Sequence, residues 1–205
     1  MTTPTTKTIA ISRQRGSGGS RTARAVADRL GLRYVDRELL RLAAEYLRTS
    51  TEKAATPPST WWSRLGEAFA SGGADGGYTP SLSEAVYEGE LFDIEQRLLT
   101  EIVDEQPAVI VGRGAAQQLR GRPGVVAVFL HAPEIHRLAR VQSVYQLRDE
   151  KAARRAIEMS DADRARFIRS LTDTEWTDAR LYDLTVDTAA AGLERTADLI
   201  VQLAR

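Results

Sequence analysis

The chain has 205 residues in which 28 Lys+Arg balance 28 Asp+Glu, so it carries no excess positive field and a general nucleic-acid coat is excluded. At 42% hydrophobic and 27% charged it has the makeup of a globular chain that buries a core within one domain. No cysteine is present, which removes disulfides, thiol nucleophiles and cysteine-bound metals, and two histidines, His131 and His136, supply a metal site poorly. Both read as structural, flanking a helix that opens on Pro133. Met1 to Thr6 is threonine-rich without an apolar core, and no apolar run approaches the roughly 20 residues that cross a bilayer. The expectation is a cytoplasmic protein with no membrane partner. Lys7, Lys53 and Lys151 are its lysines and every other basic residue is arginine, a bias that suits phosphate because guanidinium grips it with two prongs.

Thr8 to Ile11 reads as a short buried strand. Gly16 to Gly19 interrupt it before Ala23, Val26, Ala27 and Leu30 set the period of an amphipathic helix, which Gly31 stops. Leu32 to Val35 forms a second strand, and a helix follows from about Arg37 with Leu40, Ala43, Ala44 and Leu47 on one face. From Ala54 to Pro80 glycine and proline accumulate around the pair Trp61 and Trp62, which predicts a flexible insertion with a short helix from Thr60 to Ala70. Ser81 with Glu84 resembles a capping box ahead of a long helix whose core face carries Tyr87, Leu91, Ile94, Leu98 and Ile102.

Ala108 to Val111 and Val125 to Leu130 are continuous apolar runs, the pattern of strands covered on both faces. Pro133 opens a helix bearing Leu138, Val141 and Tyr145, helical sequence continues to about Thr172, and Leu184 to Val186 supplies a late strand. A last helix presents Leu193, Ala197, Ile200 and Val201. Strands alternating with helices predict an α/β fold with a parallel sheet between helical layers.

The stretch from Ser12 to Thr22, SRQRGSGGSRT, places backbone N–H groups and a helix N-terminus at one point, where anions bind. Arg15, Gly16, Ser17, Gly18, Gly19, Ser20, Arg21 and Thr22 are therefore candidate ligands of a polyphosphate. Aligned on the phosphate-loop pattern of two glycines followed by Lys and Ser/Thr, Gly18 takes the second glycine and Arg13 falls at the first. Gly19 stands where the lysine belongs, and Ser20 supplies the hydroxyl that meets magnesium. Arg15 or Arg21 is then the candidate replacement cation. The alternative is a glycine-rich turn with no ligand.

The segment from Ile9 to Leu40, IAISRQRGSGGSRTARAVADRLGLRYVDRELL, resembles the opening of the cytidylate-kinase-like family, a divergent branch of the nucleoside monophosphate kinases. Val109 to Gly114 (VIVGRG) followed by Val126 to Pro133 is similar to that family's central strands, and Trp176 with Tyr182 to Thr188 to its closing strand. The likeness covers most of the chain outside about residues 50–80. It implies a three-layer P-loop kinase fold in a single domain over residues 1–205: a five-stranded parallel sheet, a helical acceptor insertion at about residues 50–90 and a helical lid at about residues 148–169.

The reaction implied is transfer of the γ-phosphoryl group of ATP, with Mg2+, to a nucleoside monophosphate or related small acceptor. Such chemistry asks for converging cations and a cover against water. Arg113 matches the arginine of the Asp-Gly-Arg-Asp motif of true cytidylate kinases, where it grips the acceptor phosphate. Val111 and Gly114 replace the flanking aspartates, a departure from the CMP pattern. Arg21, Arg113, Arg137 and Arg164 form the expected catalytic set, and Asp36, Arg113 and Arg148 the expected acceptor set.

Asp36 serves equally as a helix N-cap. Arg137, Arg140, Arg148, Asp163 and Arg164 either meet phosphates on closure or pair with one another, and Asp187 is expected near the ATP base by likeness. Trp61 and Trp62 stack on a planar acceptor or pack the insertion onto the domain. Two other readings stand beside this one. One is a regulatory protein that keeps the fold without turnover; the other is a kinase of a sugar, antibiotic or other alcohol. The oligomeric state is left open.

Overall fold

The computed structural model describes residues 6–41, 43, 89–147 and 149–205. The expected helix from Thr60 to Ala70, the Trp61–Trp62 pair, the Ser81–Glu84 cap and Arg148 lie outside them. Five strands, β1 (Thr8–Arg13), β2 (Arg33–Asp36), β3 (Ala108–Val111), β4 (Val125–His131) and β5 (Leu184–Asp187), form one parallel sheet in the order β2-β3-β1-β4-β5. The helices are α1 (Gly19–Leu30), α2 (Gly89–Glu105), α3 (Ala115–Gln118), α4 (Glu134–Tyr145), α5 (Glu150–Thr172), α6 (Thr188–Ala191) and α7 (Leu193–Ala204).

The period of the strands divides the core between two faces. Ile9, Ile11, Val109, Val111, Val126, Val128 and Leu130 pack with Val26 and Ala27 of α1 and Ala197 and Ile200 of α7. Ala10, Val35, Ile110 and Ala127 point the other way, against Leu98, Leu99 and Ile102 of α2 and Ala115 and Ala116 of α3. Covering on both sides explains why β1, β3 and β4 read as unbroken apolar runs. Each fully buried aliphatic side chain contributes ~1.5–3 kcal/mol.

Parallel strands bring all their C-terminal ends to one edge. Register sets Asp36 beside Val111, Arg13 beside Leu130 and His131 beside Asp187. In open α/β sheets that edge is where ligands collect. Over it lie α4 and α5, joined through Leu138 and Val141 packed against Ala153 and Ile157. Asp149 caps α5 by accepting the N–H of Lys151 at 3.0 Å, and near the other end Ile168 packs on Phe129 and Trp176. Residues 149–169 of the segment expected as a lid form the cap and most of α5, which packs on α4. Among the described residues no helix is long and apolar enough to cross a membrane.

Candidate active site

The loop from β1 to α1 rests on α4 and α5. Gly16 (φ +80°) brings its backbone so close to α4 that a Cβ there would lie 2.7 Å from the Arg137 carbonyl oxygen. Gly18, also left-handed, stands at the N-cap of α1. Ser17 is fully buried, and its hydroxyl donates to the Gln14 carbonyl at 2.9 Å. Its carbonyl accepts from the Thr188 hydroxyl at 2.7 Å, which fastens the loop to the start of α6.

Asp161 of α5 reaches into this loop. Its Oδ1 accepts the backbone N–H of Arg15 at 2.9 Å and the Arg164 guanidinium at 3.1 Å, while Oδ2 accepts Nη1 of Arg137 at 2.5 Å. Arg137 also donates to the Arg15 carbonyl at 3.4 Å, and Arg140 to that of Gly16 at 3.1 Å. A carboxylate held by a loop amide and two guanidinium groups is coordinated as a phosphate would be. Three of the expected phosphate ligands, Arg15, Arg137 and Arg164, thus already converge on one anion. That anion belongs to the protein.

Arg15 carries its guanidinium 4.7 Å from the ring centre of Tyr145, and Arg21 is exposed on α1. Tyr34 has its phenol pKa pushed up to about 12, chiefly by burial and next by Asp36, with the Ser20 side chain acting in the opposite direction. Thr22 is buried, its N–H bonded to the Gly18 carbonyl at 3.0 Å. Asp36 precedes a further helical segment at residues 37–41 and caps it, accepting the N–H of Leu39 at 3.1 Å. Asp187 likewise caps α6 through Ala189 at 2.9 Å. His136 is exposed, and His131 stacks on Phe129 at 6.0 Å.

Beside the loop, a cleft of about 40 Å³ is bordered by Ser12, Arg13, Arg113, Arg164, Phe167 and Trp176. Arg113 occupies the left-handed region (φ 53°) directly after the bend at Gly112, a costly conformation for a non-glycine residue that sites of function often retain. It lies over the Phe167 ring at 5.3 Å and forms a buried ion pair with Glu95 of α2. Asp163 pairs with Arg166 of the same helix.

Asp161, Glu95 and Thr188 escaped sequence reasoning. Asp161 precedes Arg164 by one helical turn, the only local hint; Glu95 looked like one acid among several on a long helix.

A model of the cytidylate kinase-like family matches residues 8–190. No curated protein matches the chain. Among solved structures, an uncharacterized protein from Eubacterium ventriosum is similar with a TM-score of 0.73 at 19% identity, covering 97% of this chain and 98% of that one. A shikimate kinase from Bacteroides thetaiotaomicron gives 0.52 at 16% identity, over 96% and 97% of the two chains. A gluconokinase from Sinorhizobium meliloti gives 0.52 at 16%, over 98% and 94%. At these identities the likeness is one of fold, the three-layer P-loop kinase fold.

Proposed function

The chain belongs to the cytidylate kinase-like family, and from that premise we propose that it is an ATP-dependent phosphotransferase acting on a small acceptor of the nucleoside monophosphate class. The observation that carries this reading is the convergence of the Arg15 N–H, Arg137 and Arg164 on the Asp161 carboxylate. Phosphoryl transfer needs little covalent help from the protein. It needs fixed donors around charge that is spread over phosphate oxygens, in a site closed to water.

In the reaction an acceptor oxygen bonds to the γ-phosphorus as the bond to the β–γ bridging oxygen breaks. ADP leaves with that electron pair, and the acceptor's proton passes to solvent. Nucleotide entry requires the Asp161 carboxylate to yield its place, after which Arg137 and Arg164 turn to the phosphates and α4 and α5 close over them. Arg113 borders the acceptor side of the cleft. A cation that keeps most of its water needs few protein oxygens, so the Ser20 hydroxyl, at the first turn of α1, would suit it. Magnesium held there would neutralise phosphate charge.

The test is transfer of label from γ-labelled ATP to a panel of nucleoside monophosphates by the purified protein. Label in one product, lost in the Arg137→Ala variant, supports the proposal; no transfer to any acceptor overturns it.

One observation favours a second reading, a hydroxyl acceptor without a phosphate. Arg113, whose guanidinium would grip an acceptor phosphate, is already paired with the buried Glu95 carboxylate. The same panel extended to sugars and other alcohols separates the two.

A further inference from the structure

Arg13 and Gly19 have exchanged the places of bulk and void that a lysine-bearing phosphate loop would have. A Cβ at position 19 would lie 2.7 Å from both Cβ and Cγ of Arg13, so the stem of Arg13 fills the space a side chain at 19 would need. The stem leads the guanidinium over Gly112, where a Cβ would lie 2.4 Å from its Nη1. Gly112, at φ +87°, is left-handed and bare, and only glycine satisfies both conditions. Two glycines from separate elements thus make the channel that one arginine occupies.

We propose that Arg13, reaching from the end of β1, supplies the cation to the phosphate chain of the nucleotide that Gly19 cannot. The proposal rests on the phosphotransferase reading and adds a residue to it. Arg13 ends the central strand at the sheet edge where ligands collect, and its side chain borders the cleft shared with Arg113 and Arg164. Arg15 carries its guanidinium over the Tyr145 ring and Arg21 is exposed, whereas Arg13 borders the cleft. Burial lowers the pKa of Arg13, opposed by Tyr34 and Asp36; arginine keeps its charge through such shifts. A fork with five donors spans two phosphate oxygens where an ammonium acts as a point. As the β–γ bond breaks, the electron pair that leaves with ADP is met by this charge.

The test compares wild type with Arg13→Met, Arg13→Gln, Gly19→Lys and the double variant Arg13→Gly/Gly19→Lys. Label transfer gives kcat, calorimetry gives the affinity for inorganic tripolyphosphate, and urea unfolding checks the fold. Losing one preorganised donor costs ~10²–10³-fold in kcat, so Arg13→Met and Arg13→Gln should fall by that much and bind tripolyphosphate ~10-fold more weakly. Gly19→Lys alone should fail because Arg13 blocks the site. The double variant should recover at least ~10-fold over Arg13→Met, a rescue that a merely structural arginine would not show.

Arg13→Gln serves if Arg13→Met does not fold. Wild-type affinity for tripolyphosphate in either variant overturns the proposal whatever the turnover. If wild type transfers no label but the Arg13 variants still lose tripolyphosphate, the phosphotransferase reading fails and the assignment of Arg13 to phosphate stands.

Discussion

The carboxylate of Asp161, on α5, accepts the backbone N–H of Arg15, in the glycine loop, at 2.9 Å. In the function proposed above, this acid sits where a phosphate oxygen is expected, and nucleotide competes with it. Asp161→Ala should tighten ATP binding ~3–10-fold by calorimetry. It should also lower folding stability by ~1–3 kcal/mol, because Arg137 loses its 2.5 Å partner in a half-buried setting. Weaker ATP binding in the variant would show that the acid helps the nucleotide rather than standing in for it.

Arg113 and Glu95 should behave as a unit. Their side chains are 7% and 0% exposed, so removing one takes a directly paired opposite charge away from the other in a buried setting. Arg113→Met should destabilise by ~3–5 kcal/mol, while the double variant Arg113→Met/Glu95→Leu should regain most of that. Denaturant unfolding of the single and double variants measures the coupling. Additive losses would contradict a direct pair.

Alkaline pH should weaken the fold through Tyr34. Its folded pKa of about 12 exceeds the ordinary 10.0, so above pH 10 the unfolded chain releases the proton while the folded one still holds it. Stability from this group is complete below pH 10 and is lost as pH rises toward 12, on the order of 2 kcal/mol. Tyr182, also raised by burial, adds in the same direction. Urea midpoints at pH 9 and pH 11 should differ less in Tyr34→Phe than in wild type. An equal drop would remove Tyr34 from the cause.

Gly16→Ala tests the closeness of loop and lid. The residue is left-handed and its Cβ would meet the backbone of Arg137 at 2.7 Å, a contact no side-chain rotation relieves. Strain of ~1–3 kcal/mol should appear in unfolding, with loosening of α4 visible as faster hydrogen exchange there. Unchanged exchange would mean that the helix does not bear on the loop.

The sheet was legible because its causes are local. Ala108 to Val111 and Val125 to Leu130 are apolar throughout, and that alone marks strands covered on both faces. Gly31 announced the end of α1, and its N–H closes on the carbonyls of Ala27 and Asp28. Asp36 was balanced between cap and ligand, and the bond to Leu39 is that of a cap. The direction of Arg13 was not legible, since it depends on bare backbone at Gly19 and Gly112, brought together only by the fold. Asp161 was hidden for the same reason. Nothing along α5 distinguishes the acid that meets Arg15 from Asp163, which pairs with Arg166.

The central claim is that the loop beginning at Arg15 receives a phosphate chain, and a crystal structure with a non-hydrolysable ATP analogue tests it most directly. The account predicts a phosphate oxygen within hydrogen-bond distance of the Arg15 N–H, Arg137 and Arg164 turned toward the phosphates, and Asp161 displaced. An analogue bound elsewhere, with the bond between Asp161 and the Arg15 N–H intact, would contradict it.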